Sequence, residues 1–301
     1  CKIVNILTAP PDALLSAALQ TRIFFKQIRT GLGSASSGLL AIKFQEVNKR
    51  FIDLKPGFTF NYRPGSRKNA GYLLLSRPRP IDGLPLIELW DLNYQRKIYS
   101  YNLNLDEITK KFNIDRANTN KLRAVHPLLM KDGSLVTIAE NFIKDQDPIL
   151  MFDKCGNFMN LNISNRYHHS LEVDKFGRIY APIYNATKNI DRSLYSDKFY
   201  DDGFSILDDK LVNIGKYSLL EIYKDNGYFG DIHSMHNPGL DPFHLNDVQP
   251  YKTKDNRDIV LLSIRNHSRV MAYDVTSNKV LWVIDRAVSQ QHDIDIFPDI
   301  N

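Results

Sequence analysis

The sequence predicts an all-β fold of the β-propeller type behind a short helical N-terminal extension, and three observations carry that prediction. From Gly71 onward, short aliphatic and aromatic runs alternate with Asp, Asn and Gly turns, the pattern of consecutive antiparallel strands. Helical periodicity is scarce over the same stretch. The strands also recur as two kinds of unit, spaced as propeller blades are.

Composition sets the frame. The 301 residues are 43% hydrophobic and 24% charged, enough apolar mass for a full core and far from a disordered composition. Lys and Arg number 39 against 34 acidic residues, a net +5. The basic residues are scattered rather than interleaved with aromatics, which argues against a nucleic-acid partner. The mild positive balance favours an anionic small molecule, over about 8 Å at physiological salt. The two cysteines, Cys1 and Cys155, give neither a disulfide framework nor a metal-ligand spacing, so no metal and no cofactor is expected. No apolar run reaches 18 residues, and residue 1 is Cys rather than Met, so a signal or membrane anchor upstream of residue 1 stays open.

Two segments follow. Residues 1–70 read as an N-terminal extension. Within it, 11–29 place Leu14, Leu15, Ala18, Phe25 and Ile28 at mostly three- or four-residue steps, with Asp12 early and Lys26 and Arg29 late, a helix with charges suited to its dipole. Gly31, Gly33 and Gly38 with Ser34, Ser36 and Ser37 form a linker. Residues 71–301 are the propeller, its last blade ending within a turn.

In that segment one unit reads as an outer hairpin, at 86–101, 149–161, 218–228 and 269–284. The second opens on His or Asn, with an aliphatic residue two positions on. It starts at His126, His169, Asn246 and His292, aligned on Leu128, Leu171, Val248 and Ile294, with separations of 43, 77 and 46 residues. Two of these match the roughly 40–50 residues of a four-stranded blade, and the third fits a blade with an insertion. Equivalent positions of successive blades share a radius and height, so the register turns sequence repetition into spatial convergence on a channel.

Three blocks bring a family into view: YHHSLEVDKFGRIYAP (167–182), DPFHLNDVQP followed by DIVLLSIRNHSRVMAYD (241–274), and QHDIDIFPD (291–299). A His-x-Asn, a Ser-x-Arg on the next strand and a Gln-His pair one blade later together resemble the bacterial arylsulfotransferases, over roughly 71–301. That resemblance implies a six-bladed propeller. It also implies transfer of a sulfuryl group from an aryl sulfate donor to a phenolic acceptor, through a sulfated histidine and without a nucleotide, in the periplasm or another extracytoplasmic space. By the resemblance, His292 matches the nucleophile, His244 and Asn246 two donors, and Arg265 the anion-binding arginine. The family's first histidine falls in His168-His169. The register favours His169 as catalytic and leaves His168 beside the substrate.

The chemistry asks for such residues. A neutral imidazole can split the transfer into two displacements, a second histidine can lend and recover a proton, and a guanidinium matches two sulfuryl oxygens. Structural readings stand beside these. His126 reads as a turn residue before Pro127, His233, His236 and His267 as loop or surface residues, and Asp241, Asp247, Asp293 and Asp295 as strand-edge or turn carboxylates, Asp293 also as a partner for His292. A non-catalytic binding scaffold and a metal-dependent hydrolase are the alternative functions. Convergence of His169, His244, Asn246, Arg265 and His292 separates the enzyme from the scaffold.

Overall fold

The computed structural model describes residues 71–78, 84–103, 105–113, 122–184, 195, 199–233 and 241–296. The expected extension at 1–70, with its helix and linker, and His236 lie outside them. The described chain is mostly β, in four antiparallel sheets with three short helices. The first sheet has the order β1-β2-β3, from β1 (Tyr72–Pro78), β2 (Pro85–Asp91) and β3 (Arg96–Asn102). Helix α1 (Leu105–Phe112) follows. The chain divides into two compact units. The other three sheets and every candidate site residue belong to the first unit, which holds all described residues from 100 onward.

The second sheet runs in chain order through β4 (Arg123–Leu129), β5 (Leu135–Glu140), β6 (Ile149–Phe152) and β7 (Phe158–Asn162). The third has the order β12-β11-β10-β8, from β8 (Arg166–Tyr167), β10 (Ile179–Tyr184), β11 (Asp202–Leu207) and β12 (Asn213–Ser218), with β9 (Glu172–Val173) also pairing β10. The fourth again follows chain order, through β13 (Leu245–Lys252), β14 (Asp258–Ile264), β15 (Arg269–Asp274) and β16 (Lys279–Asp285). Three expected hairpins form as read, β2–β3, β6–β7 and β15–β16.

The fourth does not. Residues 219–225 are helix α2 (Leu219–Asp225), and the hairpin at this point is β11–β12. The local chemistry explains it. Ser218 accepts a hydrogen bond from the Glu221 amide at 3.0 Å, Glu221 sits in the first turn and Lys224 in the last. Leu219, Leu220, Ile222 and Tyr223 are buried on the packed side. A cap three residues ahead of an acid outweighs a short apolar run as a strand signal. Helix α3 (Phe229–His233) follows.

The opening strands of the last three sheets share one irregularity. In β4–β5 the pairing passes from Val125↔Ile138 to Leu128↔Val136, which leaves His126 and Pro127 against Thr137 alone. In β13–β14 it passes from Leu245↔Ile264 to Asp247↔Ser263, which leaves Asn246 extra. In the third sheet, 168–171 lie between the pairings of β8 and β9 with β10. Each bulge falls on the residue that the repeat register aligns. An extra residue there turns a side chain out of the alternating pattern, as bulges beside functional sites do. His126, His169 and His244 take left-handed backbone angles, with φ of 48°, 61° and 52°. The next aligned residues are anchors. Leu171 and Val248 are fully buried, in two hydrophobic clusters that back these strands.

Candidate active site

The bulged strand starts and the segment after β16 bring His168, His169, His244 and His292 together, with His169 at the hub. Its ring centroid lies 4.9 Å from that of His244, 5.8 Å from that of His292 and 5.0 Å from that of His168. The Nδ1 atoms of His168 and His169 are 2.7 Å apart, so one ring donates its proton and the other accepts it. Burial, then the neighbouring His244 and His292, push the His169 imidazole down to about 3, and the Arg265 charge adds to the same effect. His169 is therefore neutral at pH 7.

His168 lies behind it, only 6% exposed. It stacks on Tyr184 with ring centroids 3.9 Å apart, and its Nε2 stands 3.8 Å from Asp202 Oδ1. Burial also holds its imidazole well below the ordinary range. Asp202 is a junction: its Oδ2 accepts from the Leu245 amide at 2.7 Å, which fixes the start of β13.

His244 has a different partner. Asp241, three residues earlier, accepts from the His244 amide at 3.0 Å and bonds its Nδ1 through the second carboxylate oxygen. This clamps the ring and leaves Nε2 as the outward atom. Asn246, 1% exposed, donates from Nδ2 to the Gln291 carbonyl at 2.8 Å and so ties β13 to the segment that carries His292. Gln291 continues the tie, donating to the Ile264 and Arg269 carbonyls at 3.3 and 2.8 Å. His292 itself is exposed. Arg265 is half-buried, with its guanidinium 2.8 Å from Asn266 Oδ1 and 3.3 Å from Gln290 Oε1, neutral acceptors that leave its charge uncancelled.

An open cavity of about 240 Å³ adjoins the cluster, lined by Arg166, Tyr184, Tyr200 and Asp241. The rings of Tyr184 and Tyr200 are 5.9 Å apart, and the Arg166 guanidinium lies 5.2 Å from the Tyr184 centroid while its Nε bonds Asp147 at 2.9 Å. Of these, Arg166, Tyr184 and Tyr200 carry no signal in the sequence. Asp241 had a usable signal, an Asp three residues ahead of a candidate histidine, but it was read as a turn carboxylate.

Other expectations shift. His126 is not among the clustered histidines; its Nε2 is 3.4 Å from Glu172 Oε1. His267, expected in a loop or at the surface, lies in the turn before β15 but is stacked on Phe243 and edge-on to Tyr223, and burial lowers its imidazole to about 4. Asp247 is wholly buried rather than a strand-edge group. Among the described residues the grouping of three close metal-type ligands is Glu172, Asp247 and Asp293 rather than the histidines. No helix among them is long and apolar enough to cross a membrane.

The family model for arylsulfotransferase (ASST) matches residues 126–301, more than half of the chain. No curated protein matches the sequence. Among solved structures, a protein of unknown function from Bacteroides caccae is similar at 8% identity and TM-score 0.36, over 72% of this chain and 64% of its own. The beta-propeller domain of Myceliophteria thermophila Cps50 (Swd1) is similar at 10% identity and TM-score 0.40, over 73% and 53%. The chain thus spans less than two thirds of the length of either.

Proposed function

The chain belongs to the arylsulfotransferase family, and from that premise we propose that it moves a sulfuryl group from an aryl sulfate to a phenol through a sulfated His292. The observation that carries the reading is the convergence of His244 and His292 on a neutral His169, in the field of Arg265. The sequence disperses His169, His244, Arg265 and His292 over more than 120 positions. We read the sheets as blades of a six-bladed propeller, and the protein as extracytoplasmic, on the same family premise.

The roles follow from the surroundings of each ring. His292 is the accessible imidazole, and its nitrogen attacks sulfur as the S–O bond to the aryl group breaks. His244 is oriented by Asp241, which bonds its Nδ1. It gives its proton to the departing phenolate and takes one from the acceptor phenol, whose oxygen then displaces His292 from sulfur. His169, which burial keeps neutral, serves as a hydrogen-bonding partner at the reacting oxygens, and His168 positions it. Arg265 presents its fork to the sulfuryl oxygens, where charge builds in a loose transition state. Asn246 acts through Gln291 by fixing the His292 segment. The Tyr184–Tyr200 cavity suits a single aromatic ring, with Arg166 beside it for an anionic substituent.

The experiment supplies 4-nitrophenyl sulfate with and without a phenol acceptor. Nitrophenol release that requires the acceptor, with ping-pong kinetics, supports sulfuryl transfer. Release at the same rate without acceptor points to a hydrolase, and no release with any aryl sulfate to a binding scaffold.

A further inference from the structure

One to three residues beyond the aligned His169, Asn246 and His292, acidic side chains meet. Glu172 on β9, Asp247 on β13 and Asp293 beside His292 each place a carboxylate oxygen within 4.8 Å of the other two. Glu172 and Asp247 are buried, and Asp293 is half-buried. They come from three consecutive repeats at nearly the same register, so the convergence that gathers the histidines gathers the carboxylates as well.

A second observation says that this is more than an acidic cluster. Asp247 is 0% exposed, and although its Oδ2 accepts from the Ile294 amide at 3.1 Å, its Oδ1 has no hydrogen-bond partner. The Ser170 hydroxyl, 3% exposed, lies against the Asp247 carboxyl without a well-formed hydrogen bond. A buried carboxylate oxygen without a well-formed hydrogen bond, on a side chain that approaches two further carboxylates, is costly unless a cation meets it. On the far side, His126 Nε2 lies 3.4 Å from Glu172 Oε1.

We infer that Glu172, Asp247 and Asp293 bind one divalent cation of the calcium class, with the Ser170 hydroxyl as a neutral oxygen at its edge. The donors are all oxygen, as hard cations require. Two ligands of one calcium stand up to about 4.6–5.2 Å apart, which admits three oxygens that all lie within 4.8 Å of one another. The ion is structural. It would pin the His292 segment, which belongs to no sheet among the described residues, to β9 and β13.

The test is calorimetric titration of calcium chloride into the chelator-treated full chain, with thermal unfolding in calcium and in EDTA. One calcium per chain and a higher Tm in calcium are expected. Asp247→Asn, nearly isosteric and without the buried charge, should weaken binding at least tenfold and abolish the Tm shift. Glu172→Gln should do the same. If Asp247→Asn does not fold, Asp293→Asn, at a half-buried position, decides by the same criterion. Absence of calcium binding by the wild type, or wild-type binding by a folded Asp247→Asn variant, would overturn the site. Magnesium binding as tight as calcium would overturn the calcium assignment.

Discussion

His169 and His267 both hold their imidazoles below the ordinary histidine range, at about 3 and about 4, and burial leads the shift at each. Their neighbours differ. His267 fills a nest of Phe243 and Tyr223, with the Tyr223 hydroxyl 3.4 Å from its Nδ1. His169 touches three other imidazoles in the field of a guanidinium, beside an open cavity. A depressed imidazole therefore marks burial alone, and the chemistry around it marks a site. His267 is a stability element, and His169 is the hub of the candidate active site.

That contrast breaks most sharply on activity. His292→Ala should abolish sulfuryl transfer, by about 10³-fold or more in kcat, as loss of a nucleophile does. His267→Phe should leave kcat within about twofold, and equal losses in the two variants would erase the distinction between the regions. Next come His244→Ala and Asp241→Asn. Removing a general acid costs about 10²–10⁴-fold, and the loss should grow with the basicity of the leaving phenolate, so phenyl sulfate should suffer more than 4-nitrophenyl sulfate. A loss independent of the leaving group would assign His244 a role other than proton donation. Arg265→Lys keeps the charge and loses the fork, for an expected drop of about tenfold in kcat/KM.

Stability against pH sharpens the other side. An ordinary histidine in the unfolded chain takes up a proton below about pH 6.5, whereas folded His267 stays neutral down to about 4. Unfolding therefore binds a proton in that window, and stability falls as pH drops through it. At pH 5 the cost is about 2 kcal/mol, which His267→Phe should remove from the loss measured between pH 7 and pH 5 by denaturant unfolding. An unchanged acid sensitivity would mean that His267 is not buried as a neutral ring. The smallest effect belongs to His126→Asn. It should leave the sulfuryl-transfer rate nearly intact, since His126 faces Glu172 rather than the clustered histidines.

The same contrast marks what a sequence can disclose. The repeat register was legible because hydrophobic anchors such as Leu171 and Val248 must recur for neighbouring strands to share a core, and the polar residues beside them were carried into alignment. The bulges were not, since a pairing slip at Asn246 or His126 depends on the partner strand. Helix α2 was hidden by an apolar run that suits either period, and only the Ser218–Glu221 cap gives it away. Asp241, Asp247 and Asp293 read as turn and edge carboxylates, and Glu172 carries no signal, because a sequence records neither burial nor approach across strands. His267 stood two residues from Arg265 with no sign of its aromatic nest.

Passage of sulfur through His292 is tested by peptide mapping of the chain after reaction with 4-nitrophenyl sulfate in the absence of acceptor. One sulfuryl group per chain is expected, on the peptide that contains His292, discharged when phenol is added. A label on another residue such as His169, or nitrophenol release with no labelled histidine, would contradict it.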